Sequence, residues 1–327
     1  MTREELKEYI RNSSIFGSWH WYEYHFNFLN VGREHPFAKS IIDSCMVVES
    51  KIPGYSKRMI DHIASINGRN RYLPHYDQLK QILAELLVVS HLASQYPDAE
   101  FEDEPSIGNS KKNPEITIKT DNYVVGVEVK SPKLREHVEQ RATRAVQLPG
   151  RMPIAGQMIE QAGGKDNVTL PRDNPVKDFL ISADEKFAGF KKEFESFYGI
   201  LVIVWDDHIY EPITSIISEH SGLFTANSFA KDKEGKALIF KNIDAVIVIR
   251  QLHIFVEAAA ERPLIDGKKN ALDYGAADQF PFKVIIPNPN GEEIPLEIRD
   301  SFHAVETSHK LGAEYMPQEY IMWIGQP

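Results

Sequence analysis

Apolar residues recur at helical spacing through Leu79, Ile82, Leu83, Leu86, Leu87, Val89 and Leu92, which predicts an amphipathic helix from about Tyr76 to Gln95. A second stripe runs through Val176, Phe179, Leu180, Ala183, Phe187, Phe190, Phe194 and Phe197. It follows Asp173-Asn174-Pro175, where a capping side chain and a proline near the first turn mark a helix start, and Gly199 reads as its stop. Between these helices the period changes to two. Glu115-Ile116-Thr117-Ile118-Lys119-Thr120 alternates polar and apolar residues, and Tyr123-Val124-Val125-Gly126-Val127-Glu128-Val129-Lys130 does so over most of its length. Two strands joined by a turn at Asp121-Asn122 follow, because Asp and Asn tolerate the positive φ of a tight hairpin. Ile200 to Trp205 and Ala245 to Ile249 are nearly continuous apolar runs, as in strands buried on both faces, with a helix from Ile213 to His220 between them. Phe282 to Ile286 and Ile294 to Ile298 suggest a second hairpin through Asn288-Pro289-Asn290-Gly291.

This alternation of helices and strands predicts an α/β fold with a mixed central β-sheet flanked by helices. Three regions are expected: a mainly helical, aromatic-rich segment over 1–75, an α/β core over 76–255, and a C-terminal region with β content over 256–327. Trp19, Trp21, Tyr22, Tyr24, Phe26 and Phe28 supply the aromatics, with His20, His25 and His35 among them. His20 and His25 lie five apart, which suits neither a helix face nor strand alternation, so they are assigned to packing or surface rather than to a metal.

The chemistry-bearing residues sit on the first hairpin. With Thr120 facing Tyr123, antiparallel counting pairs Ile118 with Val125, Ile116 with Val127, and Glu115 with Glu128. Two carboxylates are thereby placed opposite each other, with β-carbons about 5 Å apart and Lys130 one step along the same face. Like charges so placed repel, and a divalent cation such as Mg²⁺, which prefers oxygen ligands and usually keeps several waters, offsets the repulsion. Ile116, Ile118, Val125, Val127 and Val129 form an apolar strip on the other face, and Gly126, facing Thr117, leaves room for a close approach. Glu85 shares a largely apolar helix face with Ile82, Val89 and Leu92, where a carboxylate needs a partner or an outlet to solvent at the helix edge. The plain alternative is a solvated strand face carrying Glu, Glu and Lys. Paired carboxylates at this spacing also suit a retaining glycosidase, although Lys130 fits that chemistry less well.

Composition narrows the choice. The 327 residues are 42 % hydrophobic and 26 % charged, the balance of a soluble globular chain, and no run reaches the roughly 18 apolar residues of a membrane span. The acidic start Met1-Thr2-Arg3-Glu4-Glu5-Leu6-Lys7 is unlike a secretory signal, and the single cysteine, Cys45, excludes an internal disulfide or a multi-thiolate zinc site, so a cytoplasmic location and no membrane partner are expected. A net charge of −10 opposes broad nucleic-acid coating. Locally the balance reverses: from Lys130 to Arg151 the bases Lys130, Lys133, Arg135, Arg141, Arg144 and Arg151 outnumber Glu136 and Glu139, placing a basic segment after the hairpin to track a phosphate backbone. The alternative for this segment is a solvated helix face. Lys177, Lys186, Lys191 and Lys192 are weaker candidates of the same kind. The chain carries no P-loop, dinucleotide-binding glycine motif, nucleophile elbow or HExxH sequence.

Pro114-Glu115 followed by Glu128-Val129-Lys130-Ser131 resembles the motif of the PD-(D/E)XK nuclease superfamily, over roughly Tyr76 to Gln251. The resemblance implies a restriction-endonuclease-like core in which Glu115 and Glu128 bind Mg²⁺, with Mn²⁺ as a substitute, and Glu85 is the first-helix acid that supports or binds the metal. It also implies that Lys130 orients or activates the attacking water, and burial or the metal is expected to lower the Lys130 pKa. Glu115 stands where the family more often has Asp, and its extra methylene moves the carboxylate outward. The expected activity is Mg²⁺-dependent endonucleolytic hydrolysis of DNA rather than RNA, in restriction or another defence against foreign DNA. A homodimer would suit double-strand cutting. The alternative is a catalytically silent relative of that fold that binds nucleic acid or serves assembly.

Overall fold

The computed structural model describes residues 1–307 apart from 18, 67–71, 109–111, 134, 145, 149, 152–154, 207, 278 and 281–282, and also 323–324. The chain opens with helices α1 Arg3–Arg11, α2 Glu23–Asn27, α3 Pro36–Glu49, α4 Tyr55–Ser65 and α5 Leu73–Gln95. Their starts have local causes. Thr2 and Glu5 form a reciprocal capping box at α1, and the His35 ring accepts the Phe37 N–H ahead of Pro36 at α3. A proline in the first turn, Pro74, lets α5 begin at Leu73, ahead of the predicted Tyr76.

After α5 come β1 Glu100–Asp103, β2 Ile116–Lys119, β3 Val124–Lys130, α6 Arg135–Thr143, β4 Val146–Gln147, α7 Ala155–Gln161 and β5 Val168–Thr169. Then follow α8 Asp173–Glu193, β6 Phe197–Trp205, α9 Tyr210–Ile217, β7 Ala245–Arg250, α10 Leu252–Ala259, β8 Lys283–Pro287, α11 Leu296–Ser301, β9 Ala304–Glu306 and β10 Trp323–Ile324. Seven strands form a mixed central sheet in the order β1-β2-β3-β6-β7-β8-β9, and β10-β4-β5 form a small second sheet. β3, β6 and β7 are mutually parallel at the centre, while β1, β2 and β8 run antiparallel to their neighbours on the β3 and β7 sides. The fold is therefore α/β with a mixed sheet flanked by helices.

Strand alternation assigns the two faces. Val125, Val127, Val129, Val202 and Ile247 pack with α1 to α5 and α10, whereas Val124, Leu201, Ile203 and Val246 pack under Phe187 and Phe190 of α8 and under α9. Three layers result, with β3 and β6 buried on both sides.

Three expectations are corrected. The Phe-rich stripe does not stay helical to Gly199: α8 ends at Glu193, Phe194 is extended, and Phe197 opens β6. Gly199 lies inside that strand, where a β-carbon would fall 2.5 Å from the Asn242 carbonyl oxygen and 2.6 Å from the Phe187 ring. Gly126 makes room for a close approach, as expected, and the group that approaches is the chain's own Phe197, whose ring an added β-carbon would meet. The Asp121-Asn122 turn closes as expected through the Thr120 N–H to the Tyr123 carbonyl at 3.0 Å, but neither turn residue is among those with positive φ. Instead the Thr120 hydroxyl accepts the N–H groups of Asn122 and Tyr123 at 3.3 and 3.1 Å. Finally, the C-terminal hairpin is not formed. Phe282 lies outside the described residues, β8 pairs with β7 and β9, and Ile294 to Ile298 leads into α11. The spacing of four between buried Ile294, Ile298 and Phe302 is a helical period that the strand reading overlooked.

Candidate active site at the end of the central hairpin

The β2–β3 register is Ile116 with Val127, Thr117 with Gly126 and Ile118 with Val125, which continues to place Glu115 across from Glu128 just beyond the last paired residues. Glu115 is anchored from the other side as well, its carbonyl accepting the Glu104 N–H at 2.9 Å. Glu128 is wholly buried on the α8 face, and the Lys130 ammonium lies 2.5 Å from its Oε1. A second cationic contact comes from α8. Lys186 Nζ is 2.7 and 2.8 Å from the two Glu128 oxygens and 3.9 Å from Glu115 Oε1, so it lies between the carboxylates.

Glu115 and Lys130 border a cleft of about 320 Å³ that is lined also by Gln78, Gln81 and Glu85 of α5, by Ser131 and by Phe179 of α8. Helices from opposite faces of the sheet thus overhang the end of one hairpin. Gln81 reaches the Ser131 carbonyl at 3.5 Å, and the Ser131 hydroxyl oxygen is buried with no hydrogen-bond partner among the described residues.

The electrostatics follow from burial and crowding. Burial first, then the charge of Glu128, pushes the Glu115 carboxyl up from 4.5 to about 7, against the pull of Lys186 and Lys130. Burial and then Glu115 hold the Glu85 carboxyl well above the usual carboxylate range. Lys130 departs from expectation: burial does pull its pKa down, but the attraction of Glu128 outweighs it and the net shift is upward. Lys130 is an ammonium group here.

The donor set suits a divalent cation. Lys186 already places positive charge between the carboxylates, acting as a stand-in for an ion. Among the described residues no three His, Cys, Asp or Glu side chains converge to hold a metal alone. Two carboxylates completed by water would be the arrangement, which is the habit of Mg²⁺.

A raised Glu115 pKa means that the folded chain binds more protons than the unfolded one between about pH 4.5 and 7, so this group's contribution to stability declines as pH rises through that window. Thermal midpoints of the metal-free protein at pH 5 and pH 8 are expected to show this decline, and Glu115→Gln to reduce it; an identical pH dependence in the variant would refute the assignment.

The predicted phosphate-contacting residues divide. Lys133 and Arg135 are exposed, with Arg135 at 2.8 Å from Glu139. Arg141 contacts Glu211 at 3.3 Å, Arg144 donates to the Val168 carbonyl at 2.8 Å, and Arg151 pairs with Asp173 and lies over the Phe229 ring. His20 and His25 are buried with their Nε2 atoms on the carbonyls of Ile63 and Ala259, as packing residues.

No family model, no curated protein and no solved structure matches the chain. The site's own geometry therefore carries the functional argument.

Two features escaped the sequence reading. Sequence alone groups Lys186 with the other lysines of the long helix as a weaker phosphate-contact candidate, yet it stands three after Ala183 and four before Phe190, both buried. A lysine on a buried stripe signals an acid beneath it. The second feature is a polar network centred on fully buried Glu211 of α9. Its Oε2 accepts Arg172 Nε at 2.7 Å and Trp205 Nε1 at 3.2 Å, and its Oε1 accepts Gln147 Nε2 at 2.9 Å. Arg172 also pairs with Asp206 at 3.1 Å. No spacing rule brings together residues from so many separate segments.

Among the described residues no helix is long and apolar enough to cross a membrane.

Proposed function

We propose that the cleft hydrolyses nucleic-acid phosphodiester bonds with Mg²⁺, the chemistry of the PD-(D/E)XK nuclease superfamily, with DNA as the substrate. The observation that supports this best is the pair Glu115 and Glu128 with a cation lodged between them and Lys130 at 2.5 Å from Glu128, beside an open cleft. Bound there, Mg²⁺ would supply an acidified water and charge neutralisation at the phosphoryl group. Glu115 and Glu128 would hold the ion, and Glu85 would support it from the α5 side. Lys130 would set its ammonium against the charge developing on the phosphate. Lys133 and Arg135, exposed after the hairpin, would contact the phosphate backbone.

Purified protein incubated with duplex DNA, single-stranded DNA and RNA in Mg²⁺ or Mn²⁺ is expected to cleave the DNA, to be silenced by EDTA, and to lose cleavage in Glu128→Ala. A second reading has its own observation: with Lys186 and Lys130 both on Glu128, the carboxylate is already neutralised, as in a nuclease-like fold that only binds nucleic acid or serves assembly. Binding without cleavage, unchanged by Glu128→Ala, would establish that reading and overturn the first. EDTA-resistant glycosidase activity would overturn both.

A further inference from the structure

Glu128 is wholly buried, and a carboxylate in that position is strongly destabilising without a cationic partner. Lys186 meets that need more fully than Lys130 does. Lys186 donates to both Glu128 oxygens, at 2.7 and 2.8 Å, and also lies 3.9 Å from Glu115, while Lys130 meets Oε1 at 2.5 Å. Its ammonium therefore occupies the space a bridging metal ion would take between the two acids.

The backbone explains how Lys186 reaches that place and where else it can go. Ala183 and Phe190 fix its turn of α8 against the sheet. Phe179, seven residues earlier and so on the same helix face, lines the cleft. The Lys186 side chain is 21 % exposed, so its long stem has an outlet along that face while the helix stays packed.

We infer that Lys186 is a tethered counter-ion: it pairs with Glu128 and keeps its carboxylate aimed while the site is metal-free, and it yields to a divalent cation by swinging into the cleft. This rests on the metal-dependent reading above and makes Lys186 a positioning residue for it. The consequence is quantitative. A site whose binding-competent state is only partly populated shows an affinity reduced by that fraction, so removing the competing ammonium should tighten metal binding, about tenfold if one site in ten is open at rest. The displaced ammonium would lie on the cleft wall beside Phe179, where an anionic substrate would meet it.

The test is a Mn²⁺ titration of the full chain without nucleic acid, following free Mn²⁺ by electron paramagnetic resonance, on the wild type, Lys186→Met, Lys186→Gln and Glu128→Gln. Both Lys186 variants are expected to bind Mn²⁺ about tenfold more tightly than wild type. They should also gain more in thermal midpoint on saturation, because their metal-free forms lack the counter-ion. Glu128→Gln is expected to lose the site. Lys186→Gln keeps a polar donor and carries the test if the apolar variant does not fold. Equal or weaker Mn²⁺ binding in the Lys186 variants, with wild-type binding abolished by Glu128→Gln, would overturn the tether and leave the nuclease reading intact. Absence of Mn²⁺ binding in all four proteins would overturn both.

Discussion

Lys130→Met is expected to slow metal-dependent cleavage by about 10²–10³-fold, or about 2.7–4 kcal/mol of transition-state stabilisation. The magnitude is that of removing one pre-aimed positive or hydrogen-bonding group from a water-poor site, and Lys130 meets both conditions. Its side chain is 25 % exposed, and its ammonium is fixed at 2.5 Å from Glu128 rather than roaming in solvent. Because the attraction of Glu128 holds its pKa above the ordinary lysine value in the metal-free chain, the group is expected to act through its charge rather than by taking a proton from water. That separates two roles that a simple loss of activity would confuse. If Lys130 acts as a cation, Lys130→Arg should recover part of the rate, and single-turnover rates in Mn²⁺ from pH 6 to 9 should keep the wild-type profile in every variant. Rates equal to wild type in Lys130→Met would remove Lys130 from the mechanism. A neutral-pH inflection lost only in that variant would make it a base instead.

How much of this site was legible beforehand depended on how local each feature is. The β2–β3 register was readable because period-two alternation and a two-residue turn determine each other within fifteen residues, and the pairs Ile116–Val127 and Ile118–Val125 follow from that. From alternation alone, the side of the hairpin carrying Glu128 is equally compatible with a solvated strand face. It is buried because α8, more than forty residues later, lies across it with Phe187 and Phe190. Alternation identifies two faces but does not say which distant helix covers each. The same limit hid Lys186, whose partner lies 58 residues away, and it misled the reading of Gly199. There a glycine that admits Phe187 and the Asn242 carbonyl reads, from sequence, as a helix stop. The C-terminal error was of another kind. Ile294, Ile298 and Phe302 did carry a helical period, but a turn-rich stretch before them favoured a hairpin. Lys130 shows a third limit, since the direction of its pKa shift follows from competition between burial and one carboxylate and cannot be read from residue type alone.

Glu211→Ala is expected to destabilise the protein by about 3–5 kcal/mol, the usual result of removing one partner from a buried ion pair and leaving the other uncompensated. Arg172 would retain Asp206, but it would lose the Glu211 carboxylate and remain 6 % exposed over the Trp205 ring. Glu211→Gln, which keeps an acceptor for Gln147 and Trp205, should cost less. The pH dependence has a definite sign. Burial alone would raise the Glu211 pKa, but His137, Arg172 and Arg141 bring it down from 4.5 to about 2. The wild-type stabilisation is therefore complete above about pH 4.5 and is lost as pH falls toward 2, while the Glu211→Ala protein lacks that contribution throughout. Urea midpoints at pH 7 and pH 3 should thus differ between wild type and variant by more at pH 7. The consequence reaches the cleft because Arg172 immediately precedes α8, the helix that carries both Phe179 and Lys186. Loosening the network should free the start of that helix, so Glu211→Ala is expected to weaken Mn²⁺ binding even at temperatures where the chain remains folded. Full Mn²⁺ affinity together with a lowered urea midpoint would show that Glu211 stabilises the fold without positioning the site.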